Sequence, residues 1–248
     1  MERLMNTVGI IGFGRFGKTL ANILRKGFLI KAYDLKSDIM DSGGDFYSLE
    51  KVLMEQVVFI AVPISQFKSV IIDISKKINT RTTIIDVCSV KKYTSETMLK
   101  FLPKGVGIIS SHPMFGPDSY LSNKKLKMMM HNTRDNHKQY KFWKKYFSDQ
   151  NIKILEMTPD MHDILAAKTQ GITHFLGRTL KEFGIEKTNL DTQGFRDLIN
   201  LVNQTCNDTW ELYTDLQTYN PYTDKMIKKL KKSLNKMEKL SKGDQNDT

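Results

Sequence analysis

The sequence predicts an α/β chain in two parts, a parallel-sheet domain over residues 1–154 and an all-helical domain over 155–248. Three observations predict it. Short β-branched apolar runs alternate with helical stretches as far as residue 156, the pattern of parallel strands joined by right-handed crossovers. A glycine turn, Gly12-Phe13-Gly14-Arg15-Phe16-Gly17, directly follows the first run and opens a helix. No alternating strand pattern appears beyond residue 157, where Thr158-Pro159-Asp160 supplies a capping hydroxyl and a proline at the first helical position.

Residues 8–11 read as the first strand, 16–25 as the first helix and 28–33 as the second strand. A strand over 57–62 is stopped by Pro63; a helix over 67–77, a strand over 83–87, a helix over 94–101 and a strand over 107–110 follow. Residues 127–130 and 153–156 are late strands flanking a helix around 137–147. The helical part breaks at Gly184 and around Asn220-Pro221, and 243–248 read as a frayed tail.

The glycine turn carries the first chemistry. Gly12 permits the tight turn, Gly14 lets the backbone approach a pyrophosphate, and Gly17 lets helix and strand pack closely, with Arg15 and Phe16 between them. The helix start then offers free N–H groups and a positive dipole end to phosphates, the Rossmann-type arrangement. Asp34, 17 residues after Gly17, ends the second strand. A carboxylate there accepts ribose hydroxyls and repels a 2′-phosphate, which favours NAD; Lys31 and Lys36 keep NADP open. Ala61-Val62-Pro63 forms the next rim loop, under the nicotinamide side.

Two later runs stop abruptly at polar residues, Asp86-Val87-Cys88-Ser89-Val90-Lys91 and Ser110-Ser111-His112-Pro113-Met114-Phe115-Gly116-Pro117. Carboxyl ends of parallel strands are where open sheets bind ligands, so Ser89 and His112 should share one rim. A proton acceptor beside a hydride acceptor points to oxidation of an alcohol carbon.

Composition narrows the alternatives. Much of the net charge of +11 is local, because residues 225–242 carry eight lysines against one glutamate. Ile227, Leu230, Leu234 and Met237 recur there at three- and four-residue steps, an amphipathic helix with a solvated basic face. No aromatic residue after Tyr222 offers a nucleic-acid stacking platform. No run approaches a membrane span, and the start shows no secretory leader, so a cytoplasmic protein is expected. Cys88 and Cys206 fit no metal spacing and are expected to be reduced.

Beyond these segments, a helical stretch carries His162-Asp163, Gln170, Thr173-His174 and Gly177-Arg178, and Thr192, Gly194-Phe195 and Asp208 to Tyr213 follow. Together they resemble the prephenate/arogenate dehydrogenase family of tyrosine biosynthesis, and within it the plant-type arogenate dehydrogenases. The resemblance implies oxidative decarboxylation: hydride leaves the ring carbon bearing the 4-hydroxyl, the hydroxyl proton goes to a base, and the ring carboxylate departs as carbon dioxide. It implies His112 as proton acceptor, with Ser89 bonding the same hydroxyl or orienting His112. Gln170 and Thr192 are implied substrate contacts. Asp208 would pair with the ammonium of arogenate where prephenate carries a keto group, and prephenate is the alternative substrate. Asn200 stands where the bacterial branch has a carboxylate-binding arginine; Arg178, Lys91 or Lys125 are the replacements to consider. His162 is assigned to the domain junction, and the helical domain to pairing two subunits as a homodimer. Two rivals remain. A β-hydroxyacid dehydrogenase would need glycines around Lys168, and a dinucleotide sensor would leave Ser89 and His112 unexplained.

Overall fold

The apolar runs become β1 (Thr7–Ile11), β2 (Leu29–Tyr33), β3 (Val57–Ile60), β4 (Thr83–Asp86) and β5 (Gly107–Pro113), with β6 (Leu126–Arg134) and β7 (Ile152–Glu156) after them. The computed structural model describes residues 7–36, 46–117, 120 and 125–242. The lead-in 1–6 and the tail 243–248 of the sequence reading lie outside the described residues.

The strands form one sheet in the order β2-β1-β3-β4-β5-β6-β7. β1 to β5 are parallel, β6 runs antiparallel to β5, and β7 is parallel to β6. All residues of β3, β4 and β5 are buried, which is why their apolar stretches run without polar alternation. β2 and β3 lie on opposite sides of β1, so the sheet has its topological switch point at the carboxyl ends of β1 and β3.

Two differences from the sequence reading have physical causes. β5 continues through Ser111 and His112 to Pro113 instead of stopping at Ser110. Its hydroxyls are satisfied internally, Ser110 Oγ 2.7 Å from Ser95 Oγ and Ser111 Oγ donating to Asp86 O at 2.7 Å, so polarity does not end the strand. A short helix also appears between β2 and β3 that periodicity was too short to reveal.

The helices of the sheet unit are α1 (Arg15–Leu24), that short α2 (Leu49–Leu53), α3 (Ile64–Ser75), α4 (Lys92–Phe101) and α5 (Tyr140–Asp149). Aromatics on α5 pack over the sheet: Trp143 lies 5.2 Å from Phe28 and 5.0 Å from Phe59, the latter edge-on. Such pairs add about 0.5–1.5 kcal/mol beyond their burial. α6 (Pro159–Ala166) follows β7, and the chain's two units divide within it, between His162 and Asp163.

The second unit is helical. A π-helical turn (Ala167–Gly171) leads into α7 (Ile172–Phe183), then α8 (Gln193–Cys206), α9 (Trp210–Tyr219) and α10 (Thr223–Ser241). Gly184 ends α7 with a left-handed φ of 84°. Gly177 lets α7 approach α8, since a Cβ there would lie 1.9 Å from Thr205 Oγ1. α10 is the lysine-rich helix, and its Leu234, Met237 and Leu240 are exposed. No helix among the described residues is long and apolar enough to cross a membrane.

Candidate active site

The glycine turn is built as its spacing requires. Gly12 has φ +92°, and a Cβ on it would lie 2.5 Å from Ala61 O. A Cβ on Gly17 would lie 2.2 Å from Gly12 O. At Gly14, by contrast, a Cβ would meet nothing within 4 Å. Gly14 caps α1 without any side-chain cap bond, and the first turn holds no acid. Open space above an uncapped helix start fits a phosphate. Arg15 is exposed there, while Phe16 packs on Phe115 at 6.2 Å. Ala61 and Val62 adjoin Gly12, and Pro63 caps α3.

Asp34 sits at the end of β2, and its carboxylate is already used: Phe13 N donates to Oδ2 at 2.6 Å and Lys36 N to Oδ1 at 3.0 Å. It therefore ties the glycine turn to β2, and each oxygen keeps a further lone pair for a ribose hydroxyl. Lys31 is paired with Glu55 at 2.5 Å and lies over the Tyr47 ring, which removes it as a phosphate ligand. Lys36 stays exposed.

β4 and β5 pair through Asp86 and Ser110, which puts Ser89 and His112 just beyond adjacent strand positions on one rim. Beneath them lies a fully buried ion pair. Lys91 Nζ is 2.5 Å from Asp86 Oδ2 and donates to Ser111 O at 2.5 Å. Cys88 N donates to Asp86 Oδ1, and Thr94 Oγ1 to Oδ2. Burial pushes the Asp86 carboxyl up, opposed by Lys91 and these hydrogen bonds. Removing one partner of such a pair costs about 3–5 kcal/mol. Lys91 is thus withdrawn from the substrate-carboxylate role considered for it. Ser89 is half-buried, and its hydroxyl has no hydrogen-bond partner among the described residues; α4 is capped from Lys91, so Ser89 is not its cap.

His112 is buried, and its Nδ1 lies 2.8 Å from His162 Nε2, the rings edge to face at 79°. Burial pushes His112 well below the ordinary 6.5, and the Lys91 charge adds to the effect. The ring is therefore neutral at pH 7. With the Nδ1 proton donated to His162, Nε2 carries the lone pair of a base. His162, in the first turn of α6, belongs with the candidate base rather than only with the junction. Nothing in its local sequence distinguished it; its one signal was its place in the family's helical string.

The second unit holds the remaining candidates. Gln170 lies half-buried in the π-helical turn, and its amide has no partner among the described residues. Irregular turns of this kind often mark functional positions. Asp208 Oδ2 is 3.8 Å from His174 Nε2. Burial pushes His174 down, so at neutral pH that ring supplies no positive charge. Arg178 Nη2 donates to Asp208 O at 2.6 Å, with its guanidinium over the rings of Trp210 and Tyr213. Thr192 caps α8, accepting from Phe195 N at 3.3 Å. Asn200 is exposed, and Arg196 donates to Asp191 O at 2.6 Å in the turn before α8. Lys125 is exposed.

A switch-point crevice with a glycine turn and an uncapped helix start defines a dinucleotide-binding protein of the Rossmann class. Residues 31–154 match the family described as prephenate dehydrogenase, nucleotide-binding domain, and residues 179–248 match the one described as TYRAAT1-like, C-terminal domain. The chain belongs to the prephenate dehydrogenase family. Arogenate dehydrogenase 2, chloroplastic, of Arabidopsis thaliana is 30% identical over 238 residues, 90% of this chain and 66% of the relative. Arogenate dehydrogenase 1, chloroplastic, of the same plant is 30% identical over 231 residues, 86% of this chain and 36% of the relative. The chain thus spans between about a third and two thirds of these relatives' length. Prephenate dehydrogenase from A. aeolicus, solved in complex with hydroxyphenyl propionate and NAD+, shares the fold with a TM-score of 0.78 at 21% identity, covering 99% of this chain and 94% of that one. Synechocystis arogenate dehydrogenase gives a TM-score of 0.68 at 20% identity, covering 97% and 93%.

Proposed function

We propose that this protein is an NAD-dependent arogenate dehydrogenase, converting L-arogenate to L-tyrosine by oxidative decarboxylation; prephenate is the alternative substrate. The observation that carries the reading is the His112–His162 pair: a buried, neutral imidazole at a strand end, on the rim that also carries the glycine turn. Bound in the glycine turn, the nicotinamide cofactor would supply the hydride acceptor.

The chain's own residues do the rest. Gly12, Gly14, Gly17 and the start of α1 hold the phosphates, with Arg15 and Phe16 beside them, Asp34 takes the ribose hydroxyls, and Ala61, Val62 and Pro63 wall the next rim. His112 Nε2 accepts the proton of the 4-hydroxyl, and His162 stabilises the resulting imidazolium through Nδ1–H. Ser89 offers a hydroxyl to the same oxygen. Loss of carbon dioxide with aromatisation makes the step irreversible, so the protein has mainly to align two reactants and take one proton. Asp208, facing an uncharged His174, selects the substrate's ammonium, and Gln170 and Thr192 are further substrate contacts.

The exposed Leu234, Met237 and Leu240 on α10 support a homodimer through the helical unit, which light scattering at several concentrations tests; a concentration-independent monomer would end it. The absence of a disulfide between Cys88 and Cys206 suits a reducing cytoplasm. The function itself is tested by following reduced nicotinamide absorbance while crossing arogenate and prephenate with NAD and NADP. Arogenate with NAD should give the highest kcat/KM. Turnover of neither substrate would sink the assignment.

A further inference from the structure

We propose that the buried Lys91–Asp86 pair is the positioning element for both reacting side chains, one ion pair gripping the residue immediately before each of them; the proposal rests on the reaction just assigned. Asp86 Oδ1 accepts from Cys88 N at 2.8 Å, and Cys88 precedes Ser89. Lys91 Nζ donates to Ser111 O at 2.5 Å, and Ser111 precedes His112. Ser111 Oγ donates back to Asp86 O at 2.7 Å, which closes the strap across β4 and β5. Neither Lys91 nor Asp86 is exposed at all, so the pair is not a solvent-facing ligand site.

Geometry alone would allow a purely structural pair. Three facts argue for more. An ion pair is a poor way to stabilise a core, because apolar residues of similar volume usually do as well. Both bonds end on the backbone beside the two residues that must be aligned. And Lys91 sets a positive charge behind His112, which favours the neutral ring that a proton acceptor needs.

The charged and titratable groups around His112 are few. His162 lies against it from α6, and Lys91, held by Asp86 of β4, acts on it from the loop before α4. Asp160 on α6 is already paired with Lys92. Across the sheet, β6 places apolar Met129 opposite His112, and His131 lies opposite Ser110.

The test uses the full chain and two variants. Lys91→Met combined with Asp86→Leu removes the pair without stranding a charge. Lys91→Arg keeps the charge but changes the reach. His112 is titrated by carbon-detected NMR of its imidazole, which needs no substrate, alongside kcat, cofactor affinity and the pH profile of kcat/KM. In the double variant kcat should fall about 100-fold with cofactor affinity unchanged, the His112 ring should lose its fixed Nδ1–H tautomer, and its midpoint should stay below 6.5 because burial is the largest cause of its depression. In Lys91→Arg the midpoint should hold while kcat falls about tenfold or more. A double variant that keeps wild-type kcat would overturn the proposal, as would one whose cofactor affinity falls in step with kcat while the His112 tautomer is unchanged. Should the double variant not fold, Lys91→Arg decides alone: wild-type kcat there overturns the proposal. If the unaltered protein turns over neither substrate, the reaction fails, and the NMR spectra still report whether the pair fixes the His112 tautomer.

Discussion

His112 Nδ1 and His162 Nε2 stand 2.8 Å apart with their ring planes at 79°, so each imidazole fixes the other's proton. Only one of the two arrangements leaves His112 Nε2 as an acceptor, and a hydrogen bond given to His162 selects it. A partner that merely fills space cannot make that selection.

His162→Leu should therefore cut kcat by about 10- to 100-fold, a share of the 10²–10⁴ that a positioned base contributes. His162→Gln can still accept from Nδ1–H and should recover part of the loss. Steady-state kinetics of the two variants, with cofactor affinity as control, decide it. Equal activity in both would show that hydrogen bonding to His162 is irrelevant.

The same burial makes stability depend on pH. His112 and His174 are both lowered from 6.5 in the folded chain, so below that value the unfolded chain binds more protons. Their contribution is complete above 6.5 and is lost as pH falls toward the depressed folded values. Asp86 acts oppositely, being raised from 3.8, and favours the folded state only at low pH. Thermal melts should thus show Tm falling from pH 7 to pH 5.5. His112→Gln should flatten that fall, and an unchanged slope would contradict the buried neutral ring.

The sheet strands were legible because burial on both faces leaves continuous apolar runs, and the cofactor turn because Gly12 and Gly17 have geometric needs that spacing reveals. β5 was read short because Ser111 looks like an end when its hydroxyl is in fact tied to Asp86 O. Lys91 was readable as a candidate for the substrate carboxylate, since a sequence cannot show that Asp86 meets it inside the sheet. His162 was underrated for a related reason: its partner lies 50 residues away, and only folding brings the rings together. Long-range polar pairing is what the sequence concealed.

Asp34 has two loads, and a variant separates them. Asp34→Ser removes the charge that disfavours a 2′-phosphate and weakens the tie to Phe13 N, now 2.6 Å. Loss of the tie should weaken both cofactors, whereas loss of charge should affect their ratio. The NAD/NADP ratio of kcat/KM is expected to fall at least about fivefold. A ratio that holds while both affinities drop would leave Asp34 as a strap for the glycine turn alone.

Asp208 raises the question of magnitude. Had its carboxylate been fully buried and unpaired before a keto group, discrimination worth about 3–5 kcal/mol would follow. Its side chain is 37% exposed, however, and the His174 ring 3.8 Å away is neutral at pH 7. An ion pair with a substrate ammonium in that setting is worth at most about 1 kcal/mol, roughly fivefold, unless the ligand itself excludes water. Asp208→Asn should accordingly lower the arogenate-to-prephenate ratio of kcat/KM by about fivefold. A loss of several hundredfold would mean that substrate desolvates the carboxylate on binding. Lowering the pH until His174 gains a proton should mimic the substitution in the unaltered protein, because the imidazolium then neutralises Asp208. A ratio untouched by both the substitution and the pH change would remove Asp208 from substrate choice.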